Sequence, residues 1–353
     1  MVKMKTIELS LSTNYVSHWG LREAFRELFQ NAIDQGNWTW SCANNVFTIV
    51  NKDTELTPNT LLLGNTTKLS DTSKIGQFGE GYKIAALVFT RLGKEMTIYT
   101  GREVWRPRFI KSRILGEPIL AFFREKSPCT SDLRIVVSDI RSSEWNEHVY
   151  NYNLHVNDKY TVLYKTSIGS VMEPIDKPSV YVNGLFVCEY ASYRYSYNFV
   201  PSAISLDRDR KLVSDFDLQW LSSSIWAQVM DFIPKLALLS SDTKDANYLS
   251  YVSDYTSSKE FNNFALTQFL IQHGENAVPV ATQKDAEGLH SDCKPIIVSS
   301  QYLQAITNSS YYNEPIKNTR DRLTELTEWI QKYRAYLPNE AYEEFTEIIN
   351  YKF

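Results

Sequence analysis

Arg26-Glu27-Leu28-Phe29-Gln30-Asn31-Ala32-Ile33-Asp34 lies inside a helical pattern that runs from about Trp19 to Gln35, with Gly36 placed to end it in a left-handed cap. At 100° per residue, Leu21, Phe25, Leu28 and Ala32 share an apolar face, and Arg22 and Arg26 lie beside it. Glu27, Asn31 and Asp34 fall within about 60° of one another on a third face. Three chemically distinct faces on one helix predict a site as well as a core.

Outward from this helix, Val46 to Val50 reads as a β-branched strand, followed by a polar loop from Asn51 to Thr57. Thr57-Pro58 predicts an N-cap and first-turn proline for a short helix that stops at Gly64. Asn65 to Ile75 is polar and aperiodic, a long loop suited to a lid. Gly76, Gly79 and Gly81 then open an apolar helix, Tyr82 to Arg91, closed by Gly93, and strands are expected near 96–100, 104–110, 119–123 and 133–137. Glycines let a backbone approach phosphate oxygens, and the amides of a helix N-terminus attract anions. A glutamate can orient an attacking water, and an asparagine oxygen suits Mg²⁺. The combination predicts a nucleotide site.

In this order the pieces resemble the GHKL (Bergerat-fold) ATPases: gyrase B subunits, MutL repair proteins, histidine kinases and the ninety-kilodalton heat-shock chaperones. Arg26 to Asp34 resembles the family's first motif. Ile75 to Gly81 is similar to the glycine box of the chaperone branch, and Leu63-Gly64-Asn65-Thr66-Thr67-Lys68 to the segment entering its lid. The resemblance spans about residues 15–140. It implies an α/β sandwich with ATP and Mg²⁺ as ligands, Glu27 as general base, Asn31 as the Mg²⁺ ligand and Asp34 in a supporting polar role. It also implies that Gly76, Gln77, Phe78, Gly79, Glu80, Gly81 and Tyr82 hold phosphates under a lid carrying Lys68, with Lys83 a weaker phosphate candidate that is more simply solvated. The second motif departs from the family, because Asn51-Lys52-Asp53-Thr54-Glu55 lacks its glycines. Asn51 can meet the base through its carbonyl oxygen or through its amide, and Asp53 is a second candidate. The last motif is blurred into Thr130-Ser131-Asp132, which leaves Thr130 or Ser131 as an adenine contact.

Further along, strands near Thr161 to Tyr164 and Ser179 to Val187, with Asn183-Gly184 as a turn pair, predict a second unit that ends in a helix from about Phe216 to Leu236. Ala203 to Lys211 resembles the chaperone segment bearing an arginine toward the γ-phosphate, so Arg208, Arg210 or Lys211 is expected to report that phosphate. Ser240 to Ser258 reads as a linker, and apolar runs at 264–271, 278–280 and 295–298 with two closing helices, about Ile316 to Tyr336 and Asn339 to Tyr351, predict a small terminal module. The expectation is an α+β chain of three parts: a GHKL-type domain at 1–145, a transducer-like α+β domain at 146–239 and an α/β and helical module at 259–353.

The 353 residues carry 37 Lys and Arg against 41 Asp and Glu, a net charge of −4 that offers no overall field for nucleic acid. The stretch Arg102, Arg106, Arg108, Lys111 and Arg113, with Trp105 and Phe109, suits either a nucleic-acid contact or, preferably, the wet side of an antiparallel sheet. The aromatic series from Tyr190 to Phe199 fits a core or a partner surface. No apolar run is long enough to cross a bilayer, no signal sequence opens the chain, and the cysteines Cys42, Cys129, Cys188 and Cys293 lie far apart, so a cytoplasmic chain with free thiols is expected. The chemistry expected is slow, Mg²⁺-dependent hydrolysis of ATP to ADP, with lid closure clamping a protein client or joining two copies, on the pattern of a stand-alone phage or mobile-element member. A nucleotide-gated inhibitor and a DNA-associated clamp are the alternatives.

Overall fold

Alternation of apolar and polar residues sets the edges of the first sheet: Ile7, Leu9 and Leu11 in one strand, Trp38, Trp40 and Cys42 in another. The structure is a computed structural model that describes residues 5–62, 81–114, 116–204, 206, 214–252, 255–315 and 322–352. It is a mixed α+β architecture in two compact units, one of residues 1–229 with 243–246, the other of 230–242 with 247–353.

The first unit opens with β1 (Lys5–Ser12), α1 (Leu21–Gln35), β2 (Trp38–Ala43), β3 (Val46–Asn51), α2 (Gly81–Arg91), β4 (Met96–Lys111), β5 (Pro118–Ser138) and α3 (Ser142–His148). Strand β5 organises the sheet. One edge pairs with β4 from Lys111↔Pro118 to Met96↔Val137, and the other is divided between β1, over Ile119 to Arg124, and β3, over Leu133 to Ser138. Strand β2 lies outside β3, and every pair is antiparallel. The four strands expected between 96 and 137 are thus two continuous ones. Their polar middle, Arg124 to Asp132, has no apolar face to signal a strand, and register shifts on either side of Gly101, at φ +52°, interrupt the pattern in β4.

Helices α1 and α2 pack together against this sheet. Phe25 sits at their centre, its ring centroid 5.0 Å from Phe47 and from Phe89 and 5.6 Å from Trp145, all edge-on. Helix α2 is buried from Lys83 to Phe89, as a helix inside a core must be. At its C-terminal end Arg91 donates from Nη1 to the carbonyls of Thr13 and Tyr15 (3.2 and 3.0 Å). Its Nη2 donates to those of Val16 and Trp19 (3.1 and 2.7 Å). One guanidinium therefore fixes the loop that aims α1. Lys94 acts similarly just beyond α2, donating to the Asp139 carbonyl at 2.6 Å and to both oxygens of Glu144 at 2.9 Å.

The same unit continues with β6 (Val162–Lys165), β7 (Gly169–Met172), β8 (Ser179–Val182), β9 (Leu185–Glu189), β10 (Ser196–Phe199) and α4 (Asp215–Gln228). The strand order is β6-β7-β10-β8-β9, with β10 and β8 parallel. Asn183 and Gly184, at φ +46° and +80°, make the expected hairpin turn between β8 and β9. Tyr197 and Phe199 are buried, so these members of the aromatic series are core. The segment 240–258 departs from the linker reading. Asp245 is fully buried and accepts from the amides of Arg194 (2.8 Å) and Tyr195 (3.1 Å) and from the Tyr197 hydroxyl (2.6 Å). That hydroxyl in turn accepts from the Trp226 indole at 2.7 Å. A polar composition reads as solvated, but a carboxylate with three donors can be buried.

The expected helix 216–236 is broken after α4, because Asp231 caps a new helix by accepting from the Ile233 amide at 3.2 Å. That helix, α5 (Phe232–Leu239), belongs to the second unit with α6 (Leu249–Val252), α7 (Tyr255–His273), β11 (Ala277–Val280), α8 (Gln283–Glu287), β12 (Lys294–Ile297), α9 (Ser300–Thr307), α10 (Arg322–Lys332) and α11 (Asn339–Lys352). Strands β11 and β12 are parallel, and α7 packs on α9.

Two outcomes follow from these buried groups. Asp245→Ala strands three donors without an acceptor, and a loss of about 3 kcal/mol in urea unfolding is expected. The side-chain hydrogen bond from Arg141, with those of Lys94, holds the Glu144 carboxyl at about 2 against an ordinary 4.5. Its stabilisation is complete above pH 4.5 and is lost as the pH falls toward 2. Lys94→Met should therefore lower stability at pH 7 and flatten the acid-unfolding curve across that window.

Candidate functional site

Helix α1 carries Glu27 and Asn31 one turn apart, and both are buried, at 4% and 9% exposure. Asn31 donates from Nδ2 to the Glu27 carbonyl at 2.8 Å, which orients the amide and leaves Oδ1 as its acceptor end. Arg26 Nη2 lies 3.4 Å from Glu27 Oε1.

The N-terminus of α2 faces these two side chains. A Cβ built on Gly81 would stand 2.6 Å from Asn31 Nδ2 and 2.8 Å from Glu27 Oε2, closer than side-chain atoms tolerate. Glycine is required here for that close approach. The approach brings the first described residue of α2 beside the Glu27 carboxylate and the Asn31 side-chain amide. The next residue, Tyr82, buries its hydroxyl without a hydrogen-bond partner. Burial first, and then the charge of Asp34, push that hydroxyl far above its usual range. Asp34 itself is half-buried.

Lys83 departs from the solvated position expected of it. It is 1% exposed and donates to the carbonyls of Thr60 (3.1 Å) and Leu62 (2.6 Å). These belong to the 3₁₀ turn Pro58–Leu61 and the residue after it, so Lys83 ties that turn to the start of α2. The Thr57 side chain makes no cap there; its carbonyl accepts from the Thr60 hydroxyl instead.

Asn51, at the end of β3, spends its side-chain nitrogen on the carbonyls of Ala32 (2.9 Å) and Gly36 (3.0 Å). Only its oxygen is left, so of the two readings the sequence allows, the side chain accepts. Asp53 and Ser131 come together around Asp132. The Asp53 amide donates to Asp132 Oδ1 at 3.2 Å, the Ser131 hydroxyl to the same oxygen at 3.2 Å, and Lys52 to Oδ2 at 2.8 Å. Thr130 is occupied with the Asp132 backbone. Hydrogen bonding from Lys52 leads the groups that hold the Asp132 carboxyl below its usual range.

Lys68, Gly76, Gln77, Phe78, Gly79, Glu80, Arg208, Arg210 and Lys211 lie outside the described residues. In the basic stretch of β4, Trp105 is fully buried, Arg102, Arg108 and Lys111 are exposed, and Arg106 is paired across the sheet. Arg106 reaches Glu125 at 2.7 Å, and Arg124 of β5 reaches Glu103 at 2.6 Å. The Tyr82 hydroxyl is not legible as functional in the sequence, where Tyr82 counts only for its amide as a residue of the helix that follows the glycine box.

No protein-family model matches the sequence, and no curated protein matches it. Among solved structures, the ATPase region of Saccharomyces cerevisiae topoisomerase II superposes over 50% of this chain and 72% of its own, at 9% identity and a TM-score of 0.31. A likeness of that extent assigns no activity.

A buried hydroxyl without a partner costs stability in the unliganded chain. Tyr82→Phe is therefore expected to leave the melting temperature unchanged or to raise it by a few degrees; a loss of more than about 1 kcal/mol would show that the hydroxyl is already paired.

Proposed function

We propose that this chain binds ATP with Mg²⁺ at the junction of α1 and α2 and hydrolyses its terminal phosphoanhydride. The observation that carries the reading is the close approach of Gly81 to Asn31 Nδ2 and Glu27 Oε2, which puts the first described residue of α2 against a buried amide and a buried carboxylate. The chemistry of these groups fits the ligand. Helix amides suit phosphate oxygens, and an amide oxygen suits a hard cation that keeps its remaining positions for phosphate and water. Asn31 Oδ1 would hold the Mg²⁺, which supplies charge neutralisation along the phosphate chain when bound.

Glu27 does the remaining work in this reading. Its carboxylate is nearly excluded from solvent, so it can position one water in line with the terminal phosphorus and accept a proton as that water attacks. Asn51 presents an acceptor to the exocyclic amine of adenine, which favours ATP over GTP. The amides of Gly81 and Tyr82 would hold phosphate oxygens, and Gly76 to Glu80 and Lys68 would be further phosphate contacts. One of Arg208, Arg210 and Lys211 meets the γ-phosphate. The expected lid, residues 65–75, lies outside the described residues, and capture of a protein partner would be its output in this reading.

Glu27→Gln is expected to keep MgATP affinity within about threefold while hydrolysis falls by about 10²-fold, as loss of a positioned base does. Asn31→Ala should instead weaken binding only when Mg²⁺ is present. Binding by titration calorimetry and phosphate release separate the two. An equal loss of affinity in both variants would make Glu27 a structural residue and end the assignment of a base.

A further inference from the structure

The other polar face of α1 lines a cleft that nucleotide binding does not use. Arg22, Arg26, Tyr152, Asn153 and Phe186 contribute to its walls, and it encloses about 70 Å³. That is room for roughly five waters or for one oxyanion of similar size. On α1, Arg22 and Arg26 follow each other by one turn, about 120° or more around the axis from Asn31.

Two residues of the lining carry an unpartnered donor. Arg26 Nε is buried and has no hydrogen-bond partner; its Nη2 makes only the 3.4 Å contact with Glu27. Asn153 is 4% exposed, its Oδ1 accepts from the His155 amide at 2.9 Å, and its Nδ2 is buried without a partner. The carboxylate at the cleft is already committed, because Glu23 accepts from the Gly20 amide at 2.8 Å and from Arg22 Nε at 3.1 Å. Both guanidiniums are braced on aromatic faces, Arg22 4.7 Å over Tyr152 and Arg26 5.0 Å over Trp19. Stacking holds a guanidinium while leaving its in-plane N–H groups free to bond.

We propose that this cleft is a second binding site, for a small oxyanion, a phosphate or a carboxylate, held by Arg22, Arg26 and Asn153. Unpartnered buried donors are rare in folded proteins, and two residues that line this one cleft, Arg26 and Asn153, each carry one, which calls for an acceptor once the side chain turns toward an occupant. The site is separate from the nucleotide niche and does not depend on it. Because Arg26 also touches Glu27, an occupant would draw that guanidinium from the candidate base, linking the two sites through one side chain.

Titration calorimetry of the full chain with inorganic phosphate and, separately, with acetate tests the proposal. Saturable binding of either is expected, weakened about tenfold or more by Arg22→Gln and by Arg26→Gln, and unchanged by Asn31→Ala, which alters only the nucleotide niche. Binding of phosphate alone would identify a phosphate site, and binding of acetate as well a general oxyanion site. Arg22 is largely exposed, so its variant should fold even if that of Arg26 does not. No saturable binding up to ~10 mM of either anion, or affinity lost in Asn31→Ala and kept in the arginine variants, would overturn the second site.

Discussion

The candidate site depends on one close approach: the backbone of Gly81 against the side chains of Glu27 and Asn31. No Cβ fits there, so the backbone can pass this close to Glu27 and Asn31 only because residue 81 is glycine. The contact joins two helices that the rest of the unit holds rigidly. Phe25 locks them into the aromatic core, and Arg91 ties the far end of α2 to the loop that aims α1. Lys83 anchors the near end of α2 to the turn before it. Buried Lys83 and half-buried Arg91 both donate to backbone carbonyls, a way to satisfy an ammonium or a guanidinium.

Much of this arrangement is legible in the order of the residues. The three faces of α1 place Phe25 and Leu28 in the core and Glu27 and Asn31 together, and both are buried as a pair. The Gly36 cap, strand β3, helix α2 and the Asn183-Gly184 hairpin follow from local chemistry. What is illegible has a common cause, which is polar sequence put to structural use. The middle of β5 has no apolar alternation, so it reads as loop; Asp245 sits in a run of Ser, Thr, Asp and Lys, so its segment reads as linker. Lys83 reads as solvated because the carbonyls that receive it come from a turn more than twenty residues earlier. Long-range hydrogen bonds of this kind leave no local period.

The short strands β1 and β2 escape a sequence reading for a different reason. Their alternation is present in Ile7-Glu8-Leu9-Ser10-Leu11 and in Trp38-Thr39-Trp40, but each is brief and lies next to a stronger helical signal. Asn51 shows the converse, an ambiguity that only geometry resolves. Its residue type permits donation or acceptance, and the two carbonyls that take its nitrogen leave acceptance alone.

Titration calorimetry of a non-hydrolysable ATP analogue into the parent chain and into Gly81→Val, with and without Mg²⁺, tests the nucleotide niche most directly. Saturable, Mg²⁺-dependent binding to the parent is predicted, with a loss of about a hundredfold or more in the variant, whose side chain would collide with Asn31 and Glu27. Binding that survives the substitution undiminished in a folded variant, or a parent chain that binds no analogue, would contradict that prediction.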